Sequence, residues 1–310
     1  MKKKAIVYTA TAIALTLVIV LTYSTYTSQK LNERMNPIQT RIDTVNFFIK
    51  DVENDLGKGI YIAGFRTLLS FNQYITANGT YIDDVDSRFK ESFLNGTIHN
   101  ISFSLMQDST FTNWANKISA QAEKVDILFN YTINDVRLNQ SDPWSVDISV
   151  NITLDIRDKK NTSYWIREKY LVKKISIMDF EDPLYIVNSK GRATSTIRRS
   201  NFTTNFVVDH DVKNLMLHTN GSYYIYHNDS PSYIMRLKGV IGNSTEGIES
   251  LVNLEKFSSQ GLALKDRSIV DSIYFGNSAT TNFRINNTPE WFKIDQGHLE
   301  TYKVQDSIIT

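Results

Sequence analysis

The stretch VDISVNITLDI, residues 146–156, alternates without a break. Val146, Ile148, Val150, Ile152, Leu154 and Ile156 share one parity, while Asp147, Ser149, Asn151, Thr153 and Asp155 share the other. A period of two puts each set on one face of a pleated strand. Upstream, Ile127, Phe129, Tyr131 and Ile133 alternate in the same way, and Gln140-Ser141-Asp142-Pro143 supplies the turn between the two segments. Downstream, Lys159 to Thr162 turn the chain back into SYWIREKYLVKKISIM. Three such segments in succession predict an antiparallel meander with one apolar and one wet face.

Toward the N-terminus the period changes. Leu31, Met35, Ile38, Ile42, Val45, Ile49, Val52 and Leu56 are separated by four and three residues in turn, the seam of a heptad helix. The stripe can pack on the chain's own domain or on the same stripe of neighbouring subunits. Pro37 removes one backbone donor and predicts a kink, and Gly57 and Gly59 predict an end or bend. A second helix with Ile60, Phe65, Leu68 and Leu69 on its apolar face should close at Asn78-Gly79. Further helices are expected over Val85 to Leu94 and Phe111 to Ala122.

Ahead of the stripe, Met1-Lys2-Lys3-Lys4 precedes AIVYTATAIALTLVIVLTYSTYTSQ, residues 5–29, and no charge follows until Lys30. An apolar core of about 20 residues matches a hydrocarbon layer ~30 Å thick. The three lysines place the N-terminus in the cytoplasm. The run is longer than a cleaved secretory signal, whose apolar part is about 7 to 15 residues, and it lacks a small-x-small exit.

Beyond the sheet the signals shorten. Glu181 to Tyr185 and Asn188 to Gly191 read as turns, Ala193 to Arg199 as a crossing segment, and Asp209 to Thr219 as a short helix closed by Asn220-Gly221. Short strands are expected at Tyr223 to Tyr226, Tyr233 to Leu237, Val270 to Phe275, Phe283 to Ile285 and Leu299 to Val304, with brief helical or turn pieces at Glu246 to Leu254 and Lys265 to Ile269. The expected fold class is α+β: an N-terminal transmembrane helix, extended into a long stalk helix, followed by a mainly antiparallel β ectodomain. The expected organisation is a cytoplasmic terminus at 1–4, the membrane helix at 5–29, a helical stalk at 30–80, a first ectodomain part at 81–195 and a second at 196–310.

Composition narrows the function. Net charge is +1, which gives no electrostatic footprint for nucleic acid. Cysteine is absent, so disulfides, thiolate metal sites and a cysteine nucleophile are excluded together. Asparagine begins an Asn-x-Ser/Thr sequon at Asn78, Asn95, Asn100, Asn130, Asn139, Asn151, Asn161, Asn201, Asn220, Asn228, Asn243 and Asn286. With 27 Asn and 56 Ser plus Thr in 310 residues, chance gives about five. The excess, all beyond the apolar run, points to a glycosylated exterior, and with no cysteine to an archaeal cell surface.

Catalytic signatures are missing: neither Gly-x-Ser-x-Gly, a P-loop, Gly-x-Gly-x-x-Gly nor His-Glu-x-x-His occurs. His210, His218 and His227 lie close in sequence, but the eight-residue spacing of the first two is about two helical turns, too far for one ion without a partner from elsewhere. They read as exposed polar residues, and neither metal nor cofactor is expected. Asp83, Asp84 and Asp86, Asp155 and Asp158, and Glu181 and Asp182 read as solvated turns rather than as a glycosidase pair or a calcium loop.

Lys3-Lys4-Ala5 ahead of an apolar helix that continues through Leu56 resembles archaeal surface proteins related to type IV pilins. Ala10 stands where pilins often carry a glutamate if cleavage follows Ala5. The segments Phe180 to Tyr185, Gly247 to Val252 and Asp266 to Asp271 are similar to uncharacterised archaeal membrane-anchored proteins, for which the resemblance implies no activity. The expectation is a single-pass cell-membrane protein with an extracellular, glycosylated C-terminal part, a structural, assembly or adhesion role and self-assembly through pilin-like subunits. The alternative is a tethered extracellular enzyme or solute-binding protein acting on glycans.

Overall fold

The structure, a computed structural model, describes residues 2–160 and 163–309. Helix α1, Lys2–Asn78, is followed by α2, Val85–Asn95, and by a small hairpin of β1, Thr97–Ile98, and β2, Ile101–Ser102. Helix α3, Phe111–Lys124, leads into the long strands β3, Ile127–Asp142, β4, Ser145–Asp158, and β5, Tyr164–Ser176, which pair in that order. The remainder alternates short pieces: α4, Pro183–Ser189; α5, Lys213–Asn220; β6, Tyr224–Tyr226; α6, Tyr233–Lys238; β7, Ile248–Ser250; α7, Leu254–Ser259; α8, Asp271–Phe275; β8, Asn282–Ile285; β9, Lys293–Asp295; and β10, Ile308–Ile309. Strands β6 and β7 pair antiparallel, as do β8 with β9 and β10 with β8. The class is α+β.

The membrane-spanning reading of residues 5–29 is overturned: among the described residues no helix is long and apolar enough to cross a membrane. Side chains 5–15 lie outside the described residues. Leu17 to Leu21 form a continuously apolar run among the described side chains of this helix. The hydroxyls of Thr22, Thr25 and Thr27 then donate to the carbonyls of Val18, Leu21 and Tyr23, satisfying themselves on their own helix.

Residues 30–78 of the expected helical stalk lie within helix α1. Helix α1 continues through Gly57 and Gly59, and from Val45 onward its apolar stripe is buried. The glycines allow close approach instead of ending the helix. A Cβ at Gly59 would lie 2.8 Å from Trp114 Cγ, and one at Gly64 would lie 1.9 Å from Ile148 Cδ1. The helix ends at Asn78, where Gly79 adopts φ +66° and its N–H donates to the Ile75 carbonyl.

The chain divides into two compact units. The first comprises Met1–Asp55, Ile118–Tyr131 and Leu154–Arg167; the second comprises Leu56–Lys117, Thr132–Thr153 and Glu168–Thr310. In the first, Arg41 is anchored on the fully buried Asp158, with Nε and Nη2 each 2.6 Å from Oδ1, and it also donates to the carbonyls of Val125 and Asp126. Phe48 meets Phe129 edge to face. In the second, Phe71, Phe89, Phe93, Phe111 and Trp114 form a continuous aromatic series with ring centroids 5.0 to 6.3 Å apart. Stacked and edge-to-face pairs at this spacing add to their area burial.

The apolar parity of β4 is fully buried from Val146 to Ile156. The predicted wet face is dry over its first half, because Ser145, Asp147 and Ser149 are buried too. Ser141 donates to the Asp147 carboxylate, which satisfies that buried charge.

Several short segments also depart from the sequence expectation. Tyr233–Lys238 is a helix, started by Ser232 Oγ on Met235 N–H and ended by Gly239 at φ +70°. Asp271–Phe275 is helical, Ile248–Ser250 is a strand within the predicted helical piece, and Leu299 to Lys303 is a turn. Pro183–Ser189 is a helix, with Asp182 accepting from Leu184 N–H and proline in its first turn. Apolar runs of four to six residues fit either period, so neighbours and caps decide them.

Candidate functional site

Strand pairing in the second unit builds the site. On β6 and β7, Ile225 faces Glu249, and His227 follows β6 by one residue. Glu249 is completely buried, as are Ile248 and Ser250 beside it. His298 sits in a 3-10 turn after β9, opened by Asp295, whose Oδ1 accepts from Gly297 N–H at 3.1 Å. These elements bring His227 Nδ1 within 3.1 Å and His298 Nε2 within 3.2 Å of Glu249 Oε2. Among the described residues His227, Glu249 and His298 form a group of potential metal ligands, with one atom of each within 4.8 Å of the others.

Each member is held from behind. Asp295 Oδ1 lies 2.8 Å from His298 Nδ1, Thr301 Oγ1 lies 3.2 Å from His227 Nε2, and Ser230 Oγ donates to Glu249 Oε2 at 2.5 Å. Burial works against charge on His298, but Asp295 and Glu249 outweigh it and carry its pKa up to about 10. Burial likewise opposes the Glu249 carboxylate, and the two imidazoles hold it well below the usual range. Glu249 raises His227 above its ordinary value. Desolvation first, and then the charge of Glu249, push the buried Tyr302 phenol well above its ordinary value.

A cleft of about 570 Å³ opens beside the cluster, with His227 and Thr301 in its wall. Trp144 carries the Arg199 guanidinium over its ring at 5.6 Å, and Tyr226 and Glu300 complete an amphipathic lining.

A second buried network lies in the same unit. Arg236, with no exposed surface, donates from Nη1 to Asp182 at 2.5 Å and to Asp271 at 2.9 Å, and from Nη2 to the Ile248 carbonyl. Tyr224 Oη donates to Asp182, and Ser250 donates to Asp271 from both N–H and Oγ. Burial alone would lower the Arg236 pKa; the charges of Asp182 and Asp271 outweigh it and raise it.

The three histidines grouped by sequence do not converge. His210 is exposed, whereas His218 is fully buried against Phe206 and Tyr302, with Nδ1 2.9 Å from Ser200 Oγ. Burial lowers His218 to about 4. His227 instead meets Glu249 and His298, which sequence reasoning missed. Their signals are faint: a glutamate inside the apolar run Ile248 to Val252, and Asp295 three residues before His298.

The acidic groups have structural duties. Asp83 pairs with His99 at 2.8 Å, Asp84 caps α2, and Asp86 lies 3.5 Å from Lys238. Asp155 pairs with Arg157 at 2.6 Å, while Asp158 and Asp182 are buried rather than solvated.

Sequon residues Asn78, Asn95, Asn100, Asn130, Asn139, Asn201, Asn220, Asn228, Asn243 and Asn286 are exposed, and Asn151 is half-buried between Asn134 and Glu168. Asn161 lies outside the described residues. Along the helix stripe, Met35 and Ile38 are 61% and 49% exposed, Ile42 is intermediate, and Val45, Ile49, Val52 and Leu56 are buried. The side chain of Leu31 lies outside the described residues. No protein-family model, curated protein or solved structure matches the chain.

Proposed function

We propose that this chain is a glycosylated structural protein of the cell exterior, assembled with copies of itself along the first half of helix α1. The observation that carries the reading is an uncovered apolar surface on a regular helix. Leu17 to Leu21 are 56–61% exposed, and Tyr23, Tyr26, Met35, Ile38 and Phe47 continue the exposure down the helix. A helix apolar on every side normally has neighbours on every side. The occupant is a second copy, because Met35 and Ile38 belong to the same heptad seam that is buried from Val45 onward, and a 3.5-residue period matches a helix to its own kind. Exposed sequons across both units support the glycosylated exterior. This is also the assembly mode implied by the resemblance to pilin-like proteins.

One preparation from the native cells tests both halves. Sedimentation velocity should give concentration-dependent oligomers that Met35→Glu with Ile38→Glu converts to monomers at unchanged thermal stability, and peptide mass spectrometry should find glycans on exposed sequons. Monomers at all concentrations would sink the assembly reading, and unmodified asparagines throughout would remove the glycoprotein.

The cleft favours a second reading, a solute-binding role toward glycans. Trp144 and Tyr226 offer aromatic faces while Arg199 and Glu300 offer polar contacts, the mixture that sugar recognition uses.

A further inference from the structure

We propose that His227, Glu249 and His298 bind one divalent transition-metal ion of the zinc class at the edge of the cleft. The inference is independent of the assembly reading and rests on the convergence of three ligand atoms. His227 Nδ1 and His298 Nε2 approach Glu249 Oε2 to 3.1 and 3.2 Å, yet neither makes a hydrogen bond, and Glu249 Oε1 is also buried without a partner. Two donors bound tetrahedrally at about 2.0–2.1 Å stand roughly 3.3 Å apart without pointing at one another. The two nitrogen-to-Oε2 separations match that spacing, and all three ligand atoms lie within 4.8 Å of one another.

The surrounding residues select the right protonation. Asp295 accepts from His298 Nδ1–H, so the proton a metal ion would displace is the one at Nε2, toward the cluster. Thr301 Oγ1, 3.2 Å from His227 Nε2, can take the same part by accepting from Nε2–H, the tautomer that leaves Nδ1 free for the metal. Asp295 is itself fixed by Ser268 Oγ at 2.8 Å and by Gly297 N–H at 3.1 Å. Such carboxylate–histidine pairs orient metal ligands and raise their basicity.

The donor set names the class of ion. Two imidazoles and one carboxylate, with no thiolate in the chain, suit zinc and its first-row neighbours. Calcium and magnesium prefer all-oxygen shells, and cuprous ion prefers sulfur. Glu249 and His298 are buried, whereas the His227 side chain is 20% exposed and lines the cleft. The fourth position therefore belongs to water or to an oxygen donor of a cleft ligand.

The test uses the full chain freed of metal with a chelator and then titrated with Zn²⁺ and Co²⁺. One ion per chain and the intense visible absorption of tetrahedral Co²⁺ are expected. Glu249→Gln and His298→Gln should each weaken binding at least 100-fold, and Asp295→Asn about 10- to 100-fold. His210→Gln, at an exposed histidine outside the cluster, should leave binding unchanged. Should a buried variant fail to fold, the wild-type cobalt spectrum still decides. Absence of stoichiometric binding, an octahedral cobalt spectrum, or binding that survives in a folded His298→Gln variant would overturn the proposal and leave an ion cluster without metal.

Discussion

Arg236 shows what one buried charge demands. Its guanidinium is satisfied by two carboxylates and two carbonyls drawn from separate stretches of chain, so each partner is necessary to the others. Removing one member leaves charge uncompensated in a dry interior, which typically costs 3–5 kcal/mol. Arg236→Met should lose about that much stability in urea unfolding, and adding Asp182→Asn with Asp271→Asn should recover part of it. His218 provides a pH-dependent counterpart. It folds as a neutral ring with its pKa lowered to about 4, whereas the unfolded chain takes up the proton near pH 6.5. Stability contributed above pH 6.5 is therefore lost as pH falls from 6.5 to 4, by about 3 kcal/mol. Urea midpoints across that window should fall in the wild type, and His218→Asn, which keeps a side-chain partner for Ser200, should flatten the slope.

Between elements, closeness is set by missing side chains. Gly64 brings helix α1 against Ile148 of β4, and a methyl group there would overlap Ile148 Cδ1. Alanine would gain about 1 kcal/mol of helix propensity but meet an overpacking cost of about 1–3 kcal/mol. Gly64→Ala should therefore destabilise, and Ile148→Val, which removes Cδ1, should reverse most of the loss. A thermal-denaturation cycle of the four proteins measures that coupling. The same element shows how far sequence carries. The β4 alternation and the Asn78-Gly79 stop were legible because a regular period and a left-handed glycine are local properties. The helix through Gly57 and Gly59 was not, because a glycine that admits a neighbour and one that ends a helix look identical until the neighbour is known.

For the whole molecule, one helix serves two environments. Its stripe is buried from Val45 to Leu56 but uncovered at Met35 and Ile38, and the proposed assembly follows from that change along a single seam. The sequon asparagines are compatible with it, since those described begin at Asn78, beyond the end of the exposed stripe. The candidate metal cluster depends on different long-range order. Its ligands are 22 and 49 residues apart in sequence and meet through β6–β7 pairing and the turn after β9.

The sequence by itself determined what depends on neighbours along the chain: the strand period of 146–156, the helix seam of 31–56, the sequons and the missing cysteine. Tertiary structure alone decided how much of the seam is covered, which short apolar runs coil or extend, and which histidine meets a carboxylate. These outcomes depend on contacts between distant residues, and a side chain's burial and partner are properties of the space around it rather than of its place in the chain.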